Sequence, residues 1–164
     1  MSTVVCNSGP LIALGGIDQL GLLRSLFGTV CIPAEVATEC QAGGVSKVGL
    51  KAFREASWLQ VIDLGTPPDP LLTSLLDFGE SRAIELALRH KSSVLLMDEA
   101  RGRRVARDVY GLQVVGSGRI LVEAKQAGLI DSVGPLIHAV RGNGYWLADR
   151  IVTEIMRQAG EVEA

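Results

Sequence analysis

The chain has 164 residues and a mass of 17.4 kDa, with 48% hydrophobic, 21% charged and 4% aromatic residues. That is the size of one domain with a buried core, and the composition excludes a collagenous repeat or a largely disordered chain. The net charge of −2 excludes a protein that coats a duplex by charge alone, and so few aromatics leave few platforms for stacking bases.

In chain order, short apolar runs alternate with helical patterns. Thr3-Val4-Val5-Cys6 reads as a buried strand ended by Asn7-Ser8-Gly9-Pro10. Residues 11–26 carry apolar positions at helical spacing, broken by Gly15-Gly16 into two short helices. Thr29-Val30-Cys31-Ile32 is a second strand, and Pro33 suits the first position of a helix. Residues 47–57 read as helix, 58–62 as strand, and Gly65–Pro70 as a loop within the domain. A long helix begins near Gly79 and leads to Ser93-Val94-Leu95-Leu96-Met97, a continuous apolar run of the kind buried on both faces of a parallel sheet. A helix over 99–110 and a strand at 113–115 follow, then helices only, over 119–127, 131–141 and 147–158.

This alternation predicts a three-layer α/β/α sandwich around a central, mostly parallel sheet. Residues 1–127 are expected to form the α/β domain, with 128–164 a helical extension packed on it. No apolar stretch approaches the roughly 18–20 residues that cross a bilayer, and the first residues lack the basic start and apolar core of a secretory signal. The expectation is a cytoplasmic protein with no membrane partner. Cys6, Cys31 and Cys40 lie among apolar neighbours without C-x-x-C spacing and read as core residues.

In an open α/β sheet, chemistry gathers beyond the carboxyl ends of the strands. Those ends carry Asn7 and Ser8, Asp98 and Glu99, and Ser117. Asp98 has a plainer reading as the N-cap of the following helix. On the helix beginning near Gly79, Glu80 falls on the apolar stripe of Ala83, Ile84 and Ala87, whereas Glu85 lies about 140° from Glu80 and reads as solvated. Glu35 and Glu39 sit four apart on one helical face, with Glu39 beside Val36 and Cys40. Asn7, Glu39, Glu80 and Asp98 can therefore converge on one cleft. Oxygen ligands without His or Cys select Mg²⁺ or Mn²⁺, and paired ions of that kind cleave phosphodiesters. Arg101, Arg103, Arg104 and Arg107 follow at once, either as a solvated helix face or as guides for phosphate. His90 and His138 lack ligand-spaced partners, and neither phosphate-loop glycines nor a nucleophile elbow is present. A receiver-like phosphoacceptor wants an early acidic pair and a late Lys, which this chain lacks.

Four blocks in order carry a resemblance: Val-Val-Cys-Asn-Ser-Gly-Pro-Leu-Ile-Ala-Leu from Val4, Ile-Pro-Ala-Glu-Val-Ala-Thr-Glu-Cys from Ile32, Gly-Glu-Ser-Arg-Ala-Ile-Glu-Leu-Ala from Gly79, and Leu-Leu-Met-Asp-Glu-Ala-Arg-Gly-Arg-Arg from Leu95. Together the sequence resembles the PIN-domain nucleases, in a branch related to toxin–antitoxin ribonucleases. The resemblance implies cleavage of single-stranded RNA with Mg²⁺ or Mn²⁺, a homodimer, and a small antitoxin protein as partner. It places the acidic positions on Asn7, Glu39, Glu80 and Asp98, with Ser8 and Ser117 as small hydroxyl residues near the metal; of the arginines beside that cleft, Arg101 and Arg104 are the expected phosphate contacts. Asn7 departs from the family pattern, which has Asp there, and removes one negative charge. A catalytically silent module that binds RNA or a small protein is the alternative.

Overall fold

Five short apolar runs pair side by side, and every pairing is parallel. The computed structural model describes residues 3–44, 47–92 and 94–161. Its strands are β1 (Val4–Cys6), β2 (Val30–Pro33), β3 (Leu59–Ile62), β4 (Val94–Leu96) and β5 (Val114–Val115), in the order β3-β2-β1-β4-β5. Ser93, expected to start the fourth strand, lies outside the described residues, as do the last three residues of the expected extension.

Side chains alternate across the sheet with period two, and each strand feeds two cores. Val4 and Cys6 of β1 and Leu96 of β4 join one cluster with Leu11, Leu14 and Leu23, whereas Val5 and Leu95 join the other with Ile84 and Ala106. The first layer comprises α1 (Ser8–Gly16), α2 (Gly21–Phe27), α3 (Ala34–Glu39) and α4 (Lys47–Glu55). The second comprises α5 (Pro70–Leu75), α6 (Phe78–Arg89) and α7 (Ala100–Asp108). Helices connecting β1 to β2 to β3 thus cover one face, and those connecting β3 to β4 to β5 cover the other. Right-handed crossovers give this result when the sheet grows outward in both directions from β1. The reversal opens a crevice between the ends of β1 and β4, the place where such sheets bind ligands.

After β5 the chain returns to the first layer as α8 (Ser117–Gln126), α9 (Gly134–Gly142) and α10 (Asp149–Gln158). Val133, Ile137 and Ile155 enter the same cluster as Val4 and Ile32, so these helices share the domain's core. Gly118 permits the close approach of α10: a Cβ there would stand 2.1 Å from the Ile155 side chain.

The boundaries differ from expectation in three informative places. α1 starts at Ser8, three residues before the apolar periodicity, because Pro10 sits in its first turn where no intrahelical N–H is needed. Pro33 ends β2 and is the N-cap of α3 with ψ 151°, so the helix starts one residue later than expected. The loop ends at Asp69, whose side chain accepts the Leu71 N–H and starts the unanticipated α5 at Pro70. The three cysteines are buried and unpaired, as their apolar neighbours suggested. Burial pushes the Cys40 thiol up to about 12, with the Glu39 charge adding to the shift, and raises Cys6 and Cys31 as well.

Candidate active site

Asn7 and Asp98 stand side by side at the crevice. The Asn7 N–H donates to the Leu96 carbonyl at 2.9 Å, extending the β1–β4 ladder by one bond. Asn7 is the N-cap of α1, yet its side chain makes no capping bond. Its Oδ1 is buried with no hydrogen-bond partner, and the residue is only 4% exposed. A buried amide oxygen without a donor costs about 1–3 kcal/mol unless something else meets it.

Asp98 does not cap the helix that follows it. Glu99 is the N-cap of α7 and makes no side-chain capping bond. Asp98 reaches instead to the start of α8, where Oδ1 accepts the Ser117 N–H and Oδ2 accepts the Ser117 hydroxyl, both at 2.6 Å. The Tyr145 hydroxyl also donates to Oδ2. Backbone closes in from two sides: a Cβ on Gly9 or Gly116 would meet an Asp98 oxygen at 3.3 or 3.1 Å. Ser117 is buried, and both its donors hold the carboxylate.

Glu80 enters from the first turn of α6, where Asp77 caps the helix by accepting the Glu80 N–H at 2.8 Å. Glu80 is 7% exposed, and no salt bridge to a Lys or Arg is found for it among the described residues. Burial first, then the Asp77 charge and its side-chain hydrogen bond, then Glu99, push the Glu80 carboxyl up to about 7. Gly102 on α7 leaves room here, since a Cβ would stand 3.6 Å from Glu80 Oε2.

Glu39, at the end of α3, lies against the start of α6; a Cβ on Gly79 would overlap its carboxylate at 2.0 Å. Partial burial raises its carboxyl, the Ser8 side chain opposes this with a hydrogen bond, and the Asp77 charge adds to the rise. Ser8 thus links the Asn7 side of the crevice to Glu39. Glu35, its neighbour in sequence, is drawn away into an ion pair with Arg82 at 3.2 Å. Glu85 is not solvated, contrary to expectation: it pairs with Arg82 at 2.7 Å and accepts the Asp69 N–H at 2.6 Å.

A cavity of about 720 Å³ opens over Asn7, Ser8, Glu80 and Asp98. Glu39 does not line it. Five arginines do: Arg103, Arg104 and Arg107 from α7, Arg119 from α8 and Arg150 from α10. Arg101, expected as a phosphate contact, is exposed outside this lining. Sequence reasoning passed over Asp77, Tyr145, Trp146, Arg119 and Arg150. The pairing of two aromatics after Gly142-Asn143-Gly144, in so aromatic-poor a chain, was the signal available.

Taken as they stand, no three His, Cys, Asp or Glu side chains among the described residues form a metal-binding cluster. Two observations nevertheless suit a divalent cation. The Asn7 oxygen lacks a donor, and Glu80 is a buried carboxylate without a countercharge. An all-oxygen donor set of amide and carboxylates is that of Mg²⁺ or Mn²⁺.

No helix among the described residues is long and apolar enough to cross a membrane. No curated protein and no solved structure matches the chain. A family model does, DUF3368, described as a PIN domain, over residues 3–161. With that match spanning the sheet, the crevice and the three closing helices alike, the chain belongs to the PIN-domain family and carries its nuclease-type fold.

Proposed function

We propose that the protein is a metal-dependent endoribonuclease that cleaves phosphodiester bonds of single-stranded RNA. The observation that carries this reading is the pair of unmet oxygen groups at the crevice, the Asn7 Oδ1 and the Glu80 carboxylate, beneath a cavity lined by five arginines. Asn7, Glu80 and Asp98 would hold Mg²⁺ or Mn²⁺, with Glu39 adjoining through Ser8. When bound, such an ion polarises the phosphate and lowers the pKa of a water nucleophile. The chain supplies the rest. Ser117 and Tyr145 fix the Asp98 carboxylate, a carboxylate takes the proton of the attacking water, and the arginines orient the phosphate through paired N–H donors. The same reading extends to the toxin of a toxin–antitoxin pair, with a small antitoxin protein as partner, a homodimer and a cytoplasmic location.

Purified protein is expected to cleave unstructured RNA when Mn²⁺ is added, and Asp98→Asn and Glu80→Gln to abolish that cleavage. Cleavage unchanged in both variants would overturn the assignment. A second reading, a silent module that binds RNA or a small protein without turnover, is favoured by Asn7 itself, which leaves the crevice one charge short. Asn7→Asp separates the two. Wild-type turnover supports the nuclease, whereas binding without turnover in both proteins supports the silent module.

A further inference from the structure

Trp146 is the most exposed large apolar side chain among the described residues, at 81%, and it lines the mouth of the crevice. An indole left in solvent forgoes the free energy that its burial would contribute. Here the segment is tied down on both sides. Upstream, the Asn143 amide donates to the Gly16 carbonyl at 2.8 Å, and the Tyr145 hydroxyl is bonded to Asp98. Downstream, the Leu147 carbonyl accepts from Arg141 at 2.6 Å, and Arg141 also pairs with Asp149 at 2.8 Å. Every neighbour is anchored while the Trp146 ring is presented to solvent. It sits one residue from the group that holds Asp98, and Arg150 lines the same wall.

We propose that the Trp146 indole is a stacking platform for one unpaired base of the RNA, next to the phosphate held at the Asp98 end of the crevice. This rests on the nuclease reading for its ligand. Stacking on an aromatic face is tolerant of base identity, because every base has a π-face. The platform therefore selects single strands over duplex and contributes little preference among bases. Its backbone is already ordered by the bonds at Asn143, Tyr145 and Leu147, so binding orders little more than the ring.

The test measures binding without divalent metal, in EDTA, where cleavage does not intervene. Titration of a short oligouridylate into the full chain is expected to quench tryptophan fluorescence. Trp146→Ala is expected to weaken binding at least about fivefold, the lower end of what one stacked base contributes, and Trp146→Phe to recover most of it. An abasic strand of the same length is expected to bind wild type and Trp146→Ala alike. Equal affinity of Trp146→Ala and wild type for the oligouridylate would overturn the proposal, as would equal weakening toward the abasic strand. Loss of a dimer in Trp146→Ala, with RNA affinity unchanged, would reassign the ring to contact between copies of this chain. The readout separates from the nuclease reading: cleavage with Mn²⁺ alongside Trp146-independent binding sinks the platform alone, and Trp146-dependent binding without cleavage sinks the nuclease alone.

Discussion

The burial of Glu80 carries a stability cost that can be measured. Its carboxyl is held at about 7 against an ordinary 4.5, chiefly by burial and then by the Asp77 charge. At about 1.4 kcal/mol for each tenfold change in proton affinity, that displacement costs the folded state about 3 kcal/mol once Glu80 is ionised. Substitution also disturbs the packing and hydrogen bonds around the side chain, so about 2 kcal/mol is the share expected to appear in Glu80→Gln. Between pH 4.5 and 7 the folded state binds more protons than the unfolded one. Stability from this group is therefore intact below 4.5, falls through that window and is lost above 7. Glu80→Gln removes the titration while keeping a donor for Asp77.

Urea unfolding in EDTA is expected to show wild type and Glu80→Gln equally stable at pH 4, with the variant about 2 kcal/mol more stable at pH 8. Added Mn²⁺ at pH 8 is expected to reverse the order, because a ligand bound only by the folded wild type raises its stability by about 2.7 kcal/mol at a hundredfold excess over Kd. A difference that stays flat from pH 4 to 8, or a variant less stable than wild type at pH 8 without metal, would mean that ionised Glu80 carries no such cost.

Other substitutions test the frame around the site. Arg82 is 3% exposed and serves both Glu35 and Glu85; Arg82→Met leaves two partly buried carboxylates without their partner and is expected to lower unfolding stability by about 1–3 kcal/mol in urea titrations at pH 7. Gly118→Ala drives a methyl group into Ile155, 2.1 Å away, and is expected to cost about 1–3 kcal/mol, read as a lower Tm. Glu161 accepts the Val133 and Gly134 N–H groups at 2.7 and 3.0 Å and pairs with Lys125 at 2.9 Å. Burial alone would raise its carboxyl, but those donors and the Lys125 charge outweigh it and leave it lowered. Glu161→Gln is expected to lower stability by about 1 kcal/mol at pH 7, a deficit that persists above the ordinary carboxylate range and closes as acid titrates the lowered carboxyl. A thermal melt at pH 7 identical to wild type would contradict it.

What the sequence disclosed about the site follows from what is local. Asn7 and Asp98 were legible because each marks an abrupt end to an apolar run, and Glu80 because it interrupts an apolar stripe. Glu85 was misread because angular position on α6 says nothing of Arg82 beside it or of the Asp69 N–H above it. On α7 the buried residues Gly102 and Ala106 set the inward direction. Arg103 and Arg107 lie on one flank of that face and Arg101 on the other, and only the packing of α7 on the sheet decides which flank meets the crevice. Tyr145 was out of reach for a different reason: its partner, Asp98, is 47 residues away in sequence.

The charge balance takes a different meaning once charges have positions. A net charge of −2 gives no reason to expect a polyanion ligand. Fields of solvated charges fade over about 8 Å at physiological ionic strength, so the sum over the chain matters less than the grouping in one cavity. Here Asp77, Glu80, Asp98 and Glu99 line one cavity together with Glu154 of α10 and with arginines from three helices. Acids without countercharges repel a phosphate until a cation sits between them, whereas the arginines attract it throughout. RNA affinity at the crevice should therefore rise with divalent metal, in contrast to the weakening that added salt imposes on binding by counterion release alone. Opposite dependences on Mn²⁺ and on KCl are the signature of this arrangement, and no uniformly basic surface would produce them.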